Sequence, residues 1–285
     1  MKPARFEYHR PGSPADAAAL LAEYDDAAVV AGNQTLGMDM SYREVEPDHL
    51  VDVSRLDLSF VDVNGDTLSI GATTLHRTLA RSESLADRFR ALSEAASKVA
   101  DPSVRSVGTF GGSLGKAHPA SNYPTVLRAL DATLTVRSPD GTREVDFDAY
   151  LTDGLADDEF IESATVPVGA FAGADAGSAF LQLKRARLTW PTVNAAAAVR
   201  VEDGVVTAAR VGLANVAPTH VRVRDAEAAV VDTELDDGAL SEASEAAVAA
   251  VDPAPELHAD DGFKREMAGE YATRALEKAY KRATD

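Results

Sequence analysis

The feature that most constrains the fold is a glycine-rich stretch near the middle of the chain, VGTFGGSLGKAHPASNYP, from Val107 to Pro124. Its glycines are Gly108, Gly111, Gly112 and Gly115. Glycine allows a positive φ and a close approach between backbone and ligand, and successive N–H groups in such a loop form a concave cradle for anions. With the hydroxyls of Thr109 and Ser113 at its rim, the stretch predicts a loop that binds the diphosphate of a nucleotide cofactor.

A second glycine-containing turn has the same character. The apolar run Ala27–Val30 predicts a buried strand, which leads directly into the polar sequence AGNQTLG from Ala31 to Gly37. Two such loops, each beside a strand end, predict a bipartite cradle whose backbone N–H groups hold two phosphates without Lys or Arg. On spacing alone, the alternative that both stretches are only tight turns stays open.

Three other motifs in the glycine-rich stretch lack the context that their chemistry needs. Gly111–Gly115 matches the G-x-S-x-G pattern of a serine nucleophile, which requires an apolar strand before it and a helix straight after it. Here the polar run PSVRS precedes the motif and two prolines follow it. A P-loop requires Gly and Ser or Thr where the chain has Phe110 and Ala117. No strand–loop–helix opening carries G-x-G-x-x-G, so a Rossmann site is not predicted either.

The composition excludes several classes of function. Because the chain has no cysteine, it carries no disulfide, zinc–thiolate site or iron–sulfur cluster. Its six histidines show no metal-ligand spacing, so the sequence predicts no metal site. A net charge of −18 argues against nucleic acid or an anionic membrane as a partner, since both favour a basic face. The sequence has no apolar run long enough to span a bilayer and no signal peptide at its N-terminus. We therefore expect a cytoplasmic protein without membrane insertion.

The acidic residues are spread along the whole chain, and arginine supplies most of the 28 cations. A uniformly acidic, lysine-poor surface suits a protein that stays soluble at high salt, where charges are screened. The sequence therefore favours a halophilic host. The alternative is an acidic protein from a mesophile.

The order of predicted elements divides the chain into two domains, 1–172 and 173–285. In the first, helices are predicted over Thr74–Ser82 and Ala86–Ala100, and Asn64-Gly65 predicts a hairpin turn between two strands. The Gly- and Ala-rich segment Val168–Gly177 is predicted to be a linker. The second domain is predicted to have three strands and three helices: Ser178–Lys184, Val193–Val201, Val205–Leu213, Asp225–Val231, Leu240–Val251 and Phe263–Lys281.

The two glycine loops resemble those of a known family. AGNQTL is similar to the A-G-G-Q-S-L loop, and RSVGTFGGSLGKAHPASNYP to the R-N-x-G-T-I-G-G-S-L-A-x-A-x-P-x-x-D-x-P loop, of the FAD-binding medium subunits of molybdenum hydroxylases. This group includes the xanthine dehydrogenase, carbon monoxide dehydrogenase and aldehyde oxidoreductase types. The likeness continues from FEYHRPGSPADAAALL to FKREMAGEYATRAL and so covers nearly the whole chain.

The resemblance implies an α+β fold. Its first part is a two-lobed FAD-binding domain of the vanillyl-alcohol-oxidase (PCMH) type. A smaller α/β C-terminal domain of the carbon monoxide dehydrogenase flavoprotein type follows, with a three-stranded sheet and helices.

The resemblance also implies which residues contact FAD, with the diphosphate held mainly by backbone N–H groups of the two loops. The implied residues are Ala31, Gly32, Asn33, Gln34, Thr35, Leu36, Gly108, Thr109, Phe110, Gly111, Gly112, Ser113, Asn122 and Ile161. Asn33 replaces the second glycine of the first family loop. Asn122 replaces the Asp that contacts the sugar region of the cofactor, so an acceptor is kept and a charge is lost.

The function implied by the resemblance is electron transfer within a larger oxidoreductase. A molybdopterin-binding large subunit would act on the substrate, and a small subunit with 2Fe-2S clusters would pass the electrons on. The FAD of this chain would deliver them to NAD, a quinone or oxygen. No catalytic acid or base and no metal ligand is expected in this chain. Two alternatives stay open, a stand-alone flavin oxidase of the same fold and a scaffold subunit that has lost FAD.

Overall fold

The computed structural model describes residues 2–285. Its strands are β1 Glu7–His9, β2 Ala27–Val30, β3 His49–Asp52, β4 Val61–Asn64, β5 Thr67–Gly71, β6 Thr133–Ser138, β7 Gly141–Asp146, β8 Phe160–Pro167, β9 Ala176–Leu183, β10 Val193–Glu202, β11 Val205–Ala214 and β12 Val221–Arg222. Its helices are α1 Pro14–Glu23, α2 Leu36–Tyr42, α3 His76–Ala80, α4 Glu83–Arg88, α5 Arg90–Ser97, α6 Pro102–Arg105, α7 Phe110–Lys116, α8 Asn122–Ala129, α9 Phe147–Asp153, α10 Arg224–Val230, α11 Asp237–Ala249 and α12 Asp261–Thr284. Within residues 2–285, every helix is too short or too polar to span a bilayer.

A small parallel sheet, in the order β1-β3-β2, begins the chain. Helix α1 packs against it and buries Ala17, Ala18 and Leu21. The helix starts where the sequence indicates, because the Ser13 hydroxyl accepts a hydrogen bond from the Asp16 N–H at 3.1 Å. This sheet carries the first glycine loop at the end of β2.

A five-stranded antiparallel sheet, in the order β4-β5-β8-β6-β7, forms the second lobe. The predicted hairpin between β4 and β5 is present. Its two-residue loop is Gly65–Asp66, one residue later than predicted, because Asn64 pairs with Thr67 in the ladder. The apolar face of this sheet shares one core with helices α3, α4, α5, α7 and α8.

The helices before the second glycine loop are shorter than predicted. The segment predicted as Thr74–Ser82 is helical only over α3, and the segment predicted as Ala86–Ala100 divides at Phe89 into α4 and α5. Asp101-Pro102 lies beyond the end of α5 and begins the short helix α6. There the Asp101 carboxylate accepts from the N–H groups of Ser103 and Val104.

The C-terminal part is an antiparallel sheet in the order β12-β11-β10-β9. The three predicted strands are confirmed, and the two-residue strand β12 adds a fourth. The long helix α12 covers one face of the sheet, and its Ala279 carbonyl lies so near Gly177 that a Cβ there would overlap the oxygen. The other face contributes Phe180, Ala196 and Ala198 to the core of the second lobe.

Candidate functional site

The two glycine loops lie side by side. A Cβ built on Gly32 would lie 2.6 Å from the carbonyl oxygen of Val107 and 2.7 Å from Cα of Gly108. Such distances are too short for any side chain, so only glycine allows this approach. The sequence-based pairing of the two loops into one site therefore has a structural basis, in which the backbone of one loop rests on the backbone of the other.

A salt bridge joins the helices that follow the two loops. Helix α2 begins directly after the first loop, and α7 begins within the second. Lys116 at the end of α7 places its Nζ 2.9 Å from Oδ2 of Asp39 in α2. Since this pair is partly exposed, it adds only modestly to stability, and it links the two helices that follow the loops.

The first loop presents backbone donors that nothing else uses. Among the residues that the structure describes, no backbone or side-chain group accepts the N–H groups of residues 31–35. Asn33 has φ of 53°, a left-handed conformation that asparagine and glycine adopt most readily. The side chain of Gln34 bends back to donate to the Gly32 carbonyl at 2.9 Å. The result is a run of consecutive free donors, which is the arrangement that binds an anion.

The second loop differs from the prediction. Residues 110–116 form helix α7, and none of its glycines has φ in the left-handed region. The N–H groups of Phe110 and Gly111 donate to the carbonyls of Thr74 and Ala72, both at 2.8 Å. The N–H groups of Gly112 and Ser113 donate to the side chain and carbonyl of Thr109, both at 3.1 Å. The prediction of a positive-φ cradle of free donors is therefore wrong for residues 110–113.

The glycines of the second loop serve close packing instead. A Cβ on Gly111 would lie 2.5 Å from Cβ of Ala72, and one on Gly108 would lie 2.9 Å from the ring of His76. Tertiary contacts thus favour a glycine-rich helix that intrinsic propensity alone would disfavour. The Thr109 side chain caps this helix, which fixes where the loop ends and the helix starts.

His76 packs against the second loop at Gly108, a contact that the sequence did not predict. Its backbone N–H donates to the Gly108 carbonyl at 3.0 Å, and its Nδ1 lies 2.9 Å from the hydroxyl of Tyr123. Burial, with a smaller effect from the positive charge of Arg105, lowers the pKa of His76 to about 4. The imidazole is therefore neutral at neutral pH. The only sequence signal is GATTLH, a run of small residues between a strand and a helix.

The last two predicted site residues lie outside the loops. Asn122 is buried, donates through Nδ2 to the Ala95 carbonyl at 2.8 Å and accepts at Oδ1 from Gln182 at 2.6 Å. Ile161 is buried in β8, next to Glu162, whose carbonyl accepts the Ala72 N–H at 2.8 Å. Ile161 thus lies one strand away from the second loop. Contact of either residue with a cofactor stays a prediction.

The chemistry available at the two loops is anion binding. Ser113 lies inside helix α7 rather than on a strand-to-helix turn, so it is not placed as a nucleophile. The nearest histidine, His76, is neutral and already bonded to Tyr123. Free N–H donors and a backbone surface without side chains are what the diphosphate of a cofactor requires.

Two protein-family models match the chain in succession. Residues 4–169 match the FAD binding domain in molybdopterin dehydrogenase, and residues 178–279 match the carbon monoxide dehydrogenase flavoprotein C-terminal domain. Together these matches include both glycine loops, strands β10, β11 and β12 of the C-terminal part, and β9 from residue 178 onward.

Several characterised proteins are similar over their whole length. The carbon monoxide dehydrogenase medium chain of Hydrogenophaga pseudoflava is 35% identical over 288 residues, which cover 99% of each chain. The 6-hydroxypseudooxynicotine dehydrogenase complex subunit alpha of Paenarthrobacter nicotinovorans is 32% identical, covering 99% of this chain and 97% of the relative.

Solved structures of proteins of the same kind match the fold of this chain. A carbon monoxide dehydrogenase from Hydrogenophaga pseudoflava that lacks the Mo-pyranopterin moiety of its molybdenum cofactor matches with a TM-score of 0.93 and 36% identity, covering 99% of each chain. Quinoline 2-oxidoreductase from Pseudomonas putida 86 matches with a TM-score of 0.92 and 27% identity, covering 100% of each chain.

Proposed function

The chain belongs to the family of FAD-binding medium subunits of molybdenum hydroxylases, and we propose that it carries electrons out of such a complex to a final acceptor. The family makes it an oxidoreductase subunit with FAD as its cofactor. The observation that carries the proposal is the pair of glycine loops in backbone contact, with the free N–H donors of residues 31–35 beside them. These features fit the diphosphate of FAD.

The two loops have different roles in this proposal. The first loop, Ala31–Leu36, donates N–H groups to the phosphates, and Asn33 keeps the left-handed backbone that turns those donors to one side. The second loop, Gly108–Ser113, gives a close-packed surface and the hydroxyls of Thr109 and Ser113, while most of its N–H groups stay within the chain. Asn122 would lie at the sugar region and Ile161 at the flavin, as their family positions imply.

When bound, FAD would supply the redox chemistry for electron transfer between a partner subunit and a final acceptor, which would be NAD, a quinone or oxygen. The residues of this chain bind and orient it. No acid or base of the chain is assigned to catalysis.

We further propose two partners, a molybdopterin-binding large subunit and a small subunit with 2Fe-2S clusters. One support is that the similar proteins are described as a medium chain and as a subunit of a complex. The other is that this chain has no cysteine to ligate an iron–sulfur cluster, so clusters that feed the flavin must lie in another chain.

Affinity purification of this chain from its native host, under its own promoter, tests this function. We expect two further chains, one with molybdopterin and one with iron–sulfur clusters, to co-purify with the flavin chain in constant ratio. A chain that purifies alone and oxidises a substrate directly would contradict the proposal and support a stand-alone flavin oxidase. A chain that purifies with partners but without flavin would support a scaffold role.

The halophilic host and the cytoplasmic location are also proposed. The net charge of −18, carried with few lysines, supports a protein adapted to high salt. Cell fractionation, with the flavin chain followed by antibody, tests the location. Recovery of the chain mainly in membrane or secreted fractions would contradict it.

A further inference from the structure

Two histidines and a glutamate come together at one end of the parallel sheet. In the ladder between β1 and β3, Glu7 is the Cα partner of His49. His9 lies two residues after Glu7, so both side chains project from the same face of β1. Parallel pairing thereby places the His49 ring between these two side chains, although His9 and His49 are 40 residues apart in the sequence.

The ligand atoms of these side chains form a compact group. His9 Nε2 lies 2.9 Å from His49 Nδ1, and Glu7 Oε2 lies 4.0 Å from His49 Nδ1. All three lie within 4.8 Å of one another. Tyr24 stacks on both imidazoles, with ring centroids 3.9 Å from His49 and 5.0 Å from His9. The stacking fixes the two ring planes, so the nitrogens face each other across a short gap.

We propose that Glu7, His9 and His49 form a zinc site. Zinc prefers imidazole nitrogens and a carboxylate in tetrahedral geometry, with metal–ligand bonds of about 2.0–2.2 Å. Ligand atoms in that geometry are roughly 3.3–3.5 Å apart. The His9–His49 separation of 2.9 Å is shorter than this spacing, the Glu7–His49 separation of 4.0 Å is longer, and the third pair lies within 4.8 Å. Rotation of the Glu7 side chain would bring its carboxylate to the distance that the metal needs. A water fills the fourth position.

The groups around the site suit a metal that enters from solvent. The Glu7 side chain is 75% exposed and free to rotate, whereas that of His49 is 20% exposed. Without metal, the two facing imidazoles hold one N–H between them as a hydrogen bond. Zinc requires both facing nitrogens as bare acceptors, so the neutral ring that donates this hydrogen bond takes the tautomer with its N–H on the other ring nitrogen when the metal binds.

The zinc site is separate from the glycine loops. His49 pairs with Ala27 at the start of β2, and the first loop begins four residues later. At about 3.3 Å per residue along a strand, the metal would lie about 13 Å from the first loop. Its effect would be structural, because it links the three-residue edge strand β1 to the central strand β3.

The test is zinc binding to the full chain after removal of metals with a chelator. Calorimetric titration with zinc chloride is expected to show one equivalent bound per chain. Cobalt(II) in place of zinc is expected to give the visible absorption of a tetrahedral site. Removal of a group that only hydrogen-bonds to a metal ligand weakens metal binding by about 10–100-fold, and removal of a ligand itself should have at least this effect. His49→Gln and Glu7→Gln are therefore each expected to weaken zinc binding by at least about tenfold.

His258→Gln is the matched control, since it removes an exposed histidine elsewhere in the chain. It is expected to bind zinc as the unchanged chain does. Glu7→Gln keeps the test decisive if His49→Gln fails to fold, because Glu7 is largely exposed. The proposal is overturned if the unchanged chain binds no stoichiometric zinc. It is equally overturned if Glu7→Gln binds as tightly as the control, because zinc would then be held without Glu7 and the three residues would not form the site.

Discussion

Gly32 and Gly108 lie in backbone contact, such that a Cβ on Gly32 would be 2.7 Å from Cα of Gly108. The contact joins two segments more than seventy residues apart: the first lies between β2 and β3 of the parallel sheet, and the second between β5 and β6 of the five-stranded sheet. Because the two loops meet through backbone atoms, which cannot rotate away as a side chain can, a side chain added at this contact would force the loops apart. The proposed diphosphate site therefore depends on residues that have no side chain.

The first prediction concerns this contact. Gly32→Ala places a methyl group against backbone atoms that cannot rotate away, and overpacking of this kind costs about 1–3 kcal/mol. In the flavin-free chain the two loops can relieve this overlap by moving apart, whereas FAD binding requires them to be close together. FAD binding should therefore weaken by about tenfold to a hundredfold. Titration of the flavin-free chain with FAD, followed by flavin fluorescence, measures the change.

Gly115→Ala is the matched control for Gly32→Ala. Gly115 lies in helix α7 with no heavy atom within 4 Å of its Cβ position, and its φ is not left-handed. Alanine there should leave FAD binding unchanged and stabilise the helix by about 0.5–1 kcal/mol. Equal weakening by the two substitutions would show that the Gly32 contact has no special role.

The second prediction uses the left-handed backbone at Asn33. Asn33→Gly keeps access to φ of 53° and should bind FAD within about twofold of the unchanged chain. Asn33→Ala strains this conformation by about 1–2 kcal/mol and should speed FAD dissociation. Stopped-flow dissociation rates compare the two variants. If Asn33→Gly released FAD as fast as Asn33→Ala, the amide side chain rather than the backbone would be what matters.

The third prediction follows from the buried His76. Burial keeps its folded-state pKa at about 4, below the value of about 6.5 for an exposed histidine. Between these values the unfolded chain binds a proton that the folded chain does not, so the free energy of unfolding falls as pH decreases through this window. The contribution is complete above about pH 6.5 and amounts to about 3 kcal/mol at most.

Urea unfolding at several pH values measures how the free energy of unfolding depends on the protonation of His76. Burial also lowers the pKa of His220 to about 4, so His220 makes a similar pH-dependent contribution to the free energy of unfolding. His76→Gln should therefore flatten the pH dependence of the unfolding free energy without abolishing it, and His76→Gln with His220→Gln should flatten it further. Curves for the variant that run parallel to those of the unchanged chain would show that the pKa of His76 is not lowered in the folded state.

The fourth prediction concerns salt. A chain with a net charge of −18 repels itself, and this repulsion is screened as the Debye length falls from about 10 Å at 0.1 M to about 3 Å at 1 M salt. The melting temperature should therefore rise with potassium chloride over this range. Thermal unfolding followed by tryptophan fluorescence measures it. A melting temperature that stays constant or falls would favour the acidic mesophilic alternative.

The sequence was sufficient to predict the two loops as a pair and the three long strands of the C-terminal sheet. Local signals carry this information: glycines with polar neighbours after a strand for the loops, and largely apolar runs joined by the turn Glu202-Asp203-Gly204 for two of the strands. The conformation of the second loop was not predicted. Glycine-rich segments ordinarily favour turns, and only the packing of Gly111 on Ala72 makes a helix the better solution there.

Contacts between distant residues explain what else the sequence could not reveal. His76 contacts Gly108, and Glu7 and His9 contact His49. Both sets of contacts arise only because the strands and loops adopt a particular register. Register depends on which faces are buried across the whole sheet, so spacing along the chain carries no sign of it. Histidines that look scattered in the sequence are therefore grouped in the fold.

Measurement of the flavin content of the purified chain decides whether the two loops form an FAD site. We expect a yellow protein that retains FAD in equimolar amount and releases FAD, rather than FMN, on denaturation. We also expect Gly32→Ala to be purified with much less flavin than Gly115→Ala. A colourless, folded protein that does not take up added FAD would show that the loops do not hold this cofactor.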